Sequence, residues 1–222
     1  MQDLLQVRAY SDADFSDSDN SLINRIEEYL LVQGKIIDSK SVIFDVGCGP
    51  GNITERLSAR WPYSRIIGID GSEAMLAVAR NRKKQGCSGD DLSKVNYYNC
   101  DVASLVDVAI NFTKSADLIV SNSLLHHIHD PSIFWKALKL LTGKGTVYLH
   151  RDLRRPSSMD EVFALQRIYL PDSPQVLIDD YLASLQAAFT VGEVRAQLER
   201  EGLDHLNVYE SGDRYLEVVG IF

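Results

Sequence analysis

The chain has 222 residues, 45% of them hydrophobic, which predicts one domain with a sizeable buried core and leaves little room for two. A net charge of −8 with dispersed Lys and Arg argues against a phosphate-neutralising surface, so nucleic acid is not an expected partner. No apolar run approaches the roughly 18 residues of a membrane span, and Met1-Gln2-Asp3 lacks the basic-then-apolar pattern of a signal peptide, so the expected location is cytoplasmic.

The expected domain organisation is a single unit: an N-terminal flap and helix in 1–35, a ligand-binding core in 40–150, a variable lid-like segment in 151–190, and a last helix and hairpin in 191–222. Ser11 to Asn20, rich in Ser and Asp, reads as a loop capping a helix that carries Leu22, Ile23, Ile26, Tyr29 and Leu30. From Ser41 onward, apolar runs alternate with helical patterns: strand at 41–44, helix at 53–60, strand at 65–69, helix at 72–84. Further strands are expected at 95–98, 117–120 and 146–149, with a helix begun by Pro131 between the last two. This order implies an α/β fold with parallel strands and helices on both faces of the sheet. After His150 the alternation stops, and helices are expected at 159–169 and 174–188. An insertion after a parallel strand lies near the carboxyl ends of the strands, where open sheets bind ligands, so the segment reads as either a lid or extra scaffold. A helix at 191–201 then precedes two alternating runs, 205–209 and 214–221, joined by a Gly212-containing turn in the manner of an antiparallel hairpin.

Cys48, Cys87 and Cys100 are odd in number, far apart, and without CxxC spacing or matched histidines. Neither a disulfide framework nor a zinc site is indicated, and the three read as reduced, small apolar residues.

The strongest motif is Asp45-Val46-Gly47-Cys48-Gly49-Pro50-Gly51, between an apolar strand and a helix. Glycines let a ligand approach the backbone closely, and the helix start offers unpaired N–H groups. Nineteen positions after Gly51, Asp70 closes the next strand, where a carboxylate can accept hydrogen bonds from both ribose hydroxyls of a nucleoside. Asp101 closes the third strand and reads either as a contact to an adenine amino group or as the N-cap of a helix from Val102 to Val108. A dinucleotide enzyme also uses a glycine turn and a strand-end carboxylate, but its third glycine would fall at Asn52, and Asp45 would set negative charge near a pyrophosphate. Near the ammonium of an amino-acid nucleoside the same charge is attractive.

With these residues in place, the sequence resembles the class I, Rossmann-like S-adenosylmethionine-dependent methyltransferases over about residues 40–150. The resemblance implies a seven-stranded, mainly parallel sheet with an antiparallel last strand, and S-adenosyl-L-methionine as the cofactor. It also implies that Gly47, Gly49 and Gly51 wrap the methionine part, that Asp70 binds the ribose, and that Gly71, Met75, Asp101, Val102 and Asn122 belong to the same site. Ser121 to Leu124 occupies the place of the Asn-Pro-Pro-Tyr-like motif of relatives that methylate amide or nucleobase nitrogens, which lowers the weight of those acceptors.

Methyl transfer from a sulfonium needs an acceptor held in line and water kept out, and no metal. If the acceptor bears a proton, the candidate bases are His126 and His127, with His129 and His150 behind them; packing roles for each remain open. A metal reading of His126, His127, His129 and Asp130 is the lesser alternative, because three histidines within four positions cannot all face one ion from a strand or helix. Arg151 is the candidate anchor for an anionic acceptor, with Arg154 and Arg155 as weaker ones; Arg151 could instead pair with Asp152, Glu161 or Asp179. Tyr10 and Phe15 read either as a flap over the cofactor, as the resemblance implies, or as anchors of the leading segment to the core, and Tyr181, Ser184 and Phe189 either as lining of the acceptor pocket or as helical core packing. Two further readings remain open: an NAD-dependent oxidoreductase, and a nucleotide-sensing module without turnover.

Overall fold

The computed structural model describes residues 4–85, 92–105 and 116–222. Two helices, α1 (Leu4–Asp12) and α2 (Ser16–Val32), precede the sheet. The core follows as β1 (Val42–Val46), α3 (Asn52–Arg60), β2 (Arg65–Asp70), α4 (Glu73–Gln85), β3 (Val95–Asn99), β4 (Leu118–Asn122), α5 (Pro131–Leu141) and β5 (Val147–Leu153). The chain continues through α6 (Met159–Tyr169), α7 (Gln175–Ala187), α8 (Val191–Arg200), β6 (Asn207–Ser211) and β7 (Tyr215–Ile221).

Among the described residues the strands form one seven-stranded sheet in the order β3-β2-β1-β4-β5-β7-β6. β1 pairs in parallel with β2 and β4, and β7 runs antiparallel to both β5 and β6. Six strands therefore share one direction and the last opposes them, as the resemblance implies. β1 is buried along its whole length, which is why the inner strands read as continuous apolar runs rather than alternating ones. Phe44, Trp135 and Tyr148 fill one face of the sheet, and Leu22, Ile26, Ile43 and Leu57 fill the other. The strand order reverses between β1 and β4, and that switch point opens a crevice at the carboxyl ends of the strands.

Three expectations need correction. Ser11 to Asn20 is not a loop: α1 extends to Asp12 and α2 starts at Ser16, leaving Ala13 to Phe15 between them. The Ser and Asp residues mark a helix start, since Asp14 accepts a hydrogen bond from the Ser16 amide at 2.9 Å and Asp17 and Asp19 lie in the first turn, where the helix dipole favours negative charge. β5 runs on through His150, Arg151 and Asp152, all buried, because β7 pairs with it from Val147↔Ile221 to Leu153↔Tyr215. Glu210 and Ser211 likewise belong to β6 rather than to the turn. After Asp101, Val102–Ser104 forms a 3-10 turn; the rest of the expected helix to Val108, and Cys87, lie outside the described residues. Cys48 and Cys100 are buried free thiols.

Candidate active site

The loop after β1 is held over the end of β2. The Gly47 and Cys48 amides both donate to the Ile69 carbonyl, at 2.8 and 3.0 Å. Asp70 then uses one oxygen to accept from the Gly49 amide at 2.8 Å and the other to accept from the Ser72 amide at 2.7 Å. An ionised carboxylate has about four acceptor positions, so Asp70 stiffens the loop and keeps capacity for a ligand. Gly47, Gly49 and Gly51 all have positive φ, at 78°, 53° and 92°, the conformation glycine adopts without strain. Their surroundings differ. A Cβ on Gly49 would meet nothing within 4 Å, whereas one on Gly51 would lie 2.7 Å from the Tyr97 hydroxyl.

The crevice above this loop is a cavity of about 1420 Å³. Asp45, Gly47, Gly49, Asp70, Gly71, Met75, Asp101, Val102 and Asn122 all line it, as do Tyr10, His126 and His127. Gly51 is not among the lining residues; it caps α3 and lies near Ala79 and Tyr97. Asp101 also caps the 3-10 turn, accepting from the Ser104 amide at 2.8 Å, so both readings of that carboxylate are compatible. Asp45 is buried and accepts from the Thr54 hydroxyl at 2.5 Å. Burial pushes its pKa up to about 7, and among the described residues no cationic side chain pairs with it. A buried carboxylate in that state is complementary to an ammonium ligand.

Two segments outside the alternating β/α core also line the cavity. Tyr10 and Phe15, with ring centroids 5.0 Å apart, line it from the α1–α2 region, and α1 packs against α7. Tyr181 and Ser184 line it from α7, as do Leu177 and Asp180, which the sequence did not single out. Arg214, also unforeseen, lines the cavity from the β6–β7 turn, its guanidinium carbon 3.4 Å from the centroid of Tyr169 and 4.7 Å from that of Tyr215.

His126 lies in a 3-10 turn just beyond β4. Its Nδ1 is 2.5 Å from an oxygen of Asp152, whose other oxygen accepts from the Leu125 amide at 2.6 Å. Burial alone would lower the His126 pKa, but the Asp152 charge and hydrogen bond carry it above the usual histidine value. His127 lies beside His126 with ring centroids 4.1 Å apart and planes tilted by 41°, and desolvation and that neighbour lower its pKa. His129 lines the cavity at its exposed rim. Among the described residues no group of three His, Cys, Asp or Glu is arranged to hold a metal.

Several candidates lie elsewhere. Arg151 is not among the residues that line the cavity; it bonds Glu217 through Nε at 3.0 Å and Nη2 at 2.6 Å. Being inside β5 rather than after it, it alternates to the sheet face opposite Asp152, and its partner is none of those considered from sequence. His150 is enclosed by Phe134, Trp135 and Tyr148. Arg154 pairs with Glu210 and Arg155 with Glu193, and Phe189 packs in the core beside the Arg154 bridge.

A model of a methyltransferase domain matches residues 43–145. Over that stretch the chain is similar to the methyltransferase domains that the model describes. The trans-aconitate 2-methyltransferase of Methylobacterium nodulans is 36% identical over 118 residues, covering 52% of this chain and 40% of that protein. The Escherichia coli K12 enzyme of the same name is 32% identical over 112 residues, covering 50% and 39%. The chain thus spans less than half the length of these curated relatives. Among solved structures, the plantazolicin methyltransferase BpumL bound to a desmethylPZN analog and SAH aligns with a TM-score of 0.64 at 17% identity, covering 98% of this chain and 94% of that one. An Aquifex aeolicus SAM-dependent methyltransferase aligns at 0.59 and 17% identity, covering 86% and 87%. At these identities the likeness is one of fold.

Proposed function

We propose that the protein transfers the methyl group of S-adenosylmethionine to a small-molecule acceptor enclosed beneath α1 and α7. The observation that carries this reading is one continuous cavity that joins the glycine loop and Asp70 to the tyrosines of the flap and lid and to His126. The residues fit the cofactor: Gly49 leaves open space, Asp70 offers free acceptor positions to a ribose, and the buried Asp45 offers its charge to an ammonium group. Bound S-adenosylmethionine would supply an already activated methyl group. The protein's contribution is to hold the acceptor in line behind that methyl and to exclude water. Within this reading Gly47, Gly49, Asp70, Gly71, Met75, Asp101, Val102 and Asn122 serve the cofactor, and Tyr10 covers it.

An anionic acceptor is supported by the relatives, whose names specify trans-aconitate, and by Arg214. Arg151 no longer supplies that anchor; the half-buried Arg214, stacked on Tyr169 and Tyr215, takes its place. The rim carboxylates Asp12, Asp14 and Asp17 are exposed and screened by solvent. The oxidoreductase reading is disfavoured by Asn52 at the third-glycine position and by Asp45 beneath the loop. The net charge of −8 supports a small molecule over nucleic acid, and among the described residues no helix is long and apolar enough to cross a membrane. Both fit a cytoplasmic enzyme.

Incubation with methyl-labelled S-adenosylmethionine and a deproteinised metabolite extract tests the reading. Label transferred to a small molecule supports it; cofactor binding without any transfer would favour the sensing module.

A further inference from the structure

The buried polar group that the cofactor site leaves unused is Asp152. It sits near the end of β5, 2% exposed, and is surrounded by donors. The amides of Leu125 and His126 reach one oxygen, at 2.6 and 3.4 Å, and the other meets the Leu153 amide at 2.7 Å and His126 Nδ1 at 2.5 Å. His150 Nε2 lies 3.4 Å away, behind it in the sheet. Removing a carboxylate from water is expensive unless its lone pairs are met, and here they are met by the same turn that carries His126 to the cavity wall.

The consequence for His126 is a choice of nitrogen. A carboxylate against Nδ1 keeps the proton there, so that Nε2 is the nitrogen with a lone pair to offer. The charged groups around the ring are Asp152 from β5, Asp180 from α7 and the neighbouring His127. Two of the three favour a positive imidazole.

We propose that Asp152 is the positioning residue that holds His126 as the proton acceptor of the transfer, and that the acceptor's attacking atom is therefore a proton-bearing hydroxyl or amine rather than a bare carboxylate. The inference rests on the methyltransferase reading. The electron pair of the attacking oxygen or nitrogen forms the bond to the methyl carbon. The carbon–sulfur pair returns to sulfur, leaving a neutral thioether, and the acceptor's proton passes to His126 Nε2, giving an imidazolium paired with Asp152. A carboxylate is already ionised at neutral pH and would need none of this. An acceptor with a carboxylate for Arg214 and a hydroxyl or amine for His126 satisfies both of these lining residues.

Long-range nitrogen–proton spectra of the histidine side chains, taken on the whole protein with and without S-adenosylhomocysteine, read the tautomer directly. The expected result is that neutral His126 carries its proton on Nδ1 and titrates above the ordinary histidine value, and that Asp152→Asn lowers that midpoint. A proton on Nε2 in the wild type, or a midpoint unmoved in a folded Asp152→Asn protein, overturns the proposal; the wild-type tautomer decides it even if the variant fails to fold. His126→Gln should retain S-adenosylhomocysteine affinity within about twofold and lose at least about a hundredfold in transfer rate, the ordinary range of general-base catalysis. In the extract experiment, labelled products that survive mild alkali are the expected ethers and methylamines. Alkali-labile methyl esters, or no product, overturn it. Failure of S-adenosylhomocysteine to bind would instead remove the methyltransferase reading and leave the tautomer result standing.

Discussion

Arg151 and Glu217 face each other across the β5–β7 pair, with the Arg151 guanidinium reaching one Glu217 oxygen through two nitrogens, and both side chains almost fully buried. Glu217 also receives Arg25 from α2 at 3.2 Å, so this cluster ties α2 to β5 and β7. Removing one partner of a buried pair leaves the other charge without compensation, and Arg151→Met should cost about 3–5 kcal/mol of stability in urea denaturation. Cofactor affinity of the folded fraction should not change. A stable Arg151→Met protein with weakened acceptor binding would return Arg151 to the active site.

Gly49 and Gly51, equivalent in sequence, should separate experimentally. Gly51→Ala places a Cβ against Tyr97 and Ala79 at φ 92°, and should lower stability by about 1–3 kcal/mol from strain alone. Gly49→Ala, at φ 53°, carries backbone strain too but meets no neighbouring atom within 4 Å, so it should cost less stability than Gly51→Ala and weaken ligand binding more, since Gly49 lines the cavity. Paired measurements of melting temperature and S-adenosylhomocysteine affinity check this; greater loss of affinity from Gly51→Ala than from Gly49→Ala would reverse the assignment.

The contrast shows what sequence alone could convey. Glycine spacing, Asp70 and the alternating apolar runs were legible because each reflects a local requirement: positive φ, a strand end, a buried face. The course of β5 was not. His150-Arg151-Asp152 looks like a polar loop, and only the antiparallel partner β7, more than sixty residues later, supplies the ladder and the Glu217 counter-charge that bury it. Asp152 and Arg214 were missed for the same reason: each acquires its role through a residue remote in sequence, His126 in one case and Tyr169 in the other. His126 itself was visible as a strand-end histidine, but its tautomer was not.

Asp45 should make cofactor binding depend on pH. Its pKa in the folded protein, about 7, lies above its ordinary 3.8. Its contribution to stability of the ligand-free protein is therefore fully present below pH 3.8 and is lost as pH rises through about 7. An ammonium ligand prefers the ionised form, so S-adenosylhomocysteine affinity should rise from pH 5.5 to 7, with a proton released on binding at the acid end. Calorimetry in buffers of different ionisation enthalpy reads that proton, and Asp45→Asn should abolish it.

The His126–Asp152 pair has its own pH window. His126 titrates above 6.5 in the folded protein, so its stabilisation is complete below 6.5 and is lost as pH rises through the raised value. Asp152 titrates below 3.8, so its stabilisation is present above 3.8 and is lost as pH falls through the lowered value. The stability difference between wild type and His126→Gln should be greatest between pH 3.8 and 6.5 and shrink on the alkaline side. A difference independent of pH from 5 to 9 would show that the pair does not titrate as described.

The central claim is that this cavity binds an S-adenosyl nucleoside through Asp70, and titration calorimetry of wild type and Asp70→Ala with S-adenosylhomocysteine and NAD tests it most directly. Wild type should bind S-adenosylhomocysteine and not NAD. Loss of two charge-assisted hydrogen bonds at about 1.5 kcal/mol each should weaken binding by up to about a hundredfold in Asp70→Ala. NAD binding without S-adenosylhomocysteine binding, or equal S-adenosylhomocysteine affinity in wild type and a folded Asp70→Ala protein, would contradict the account.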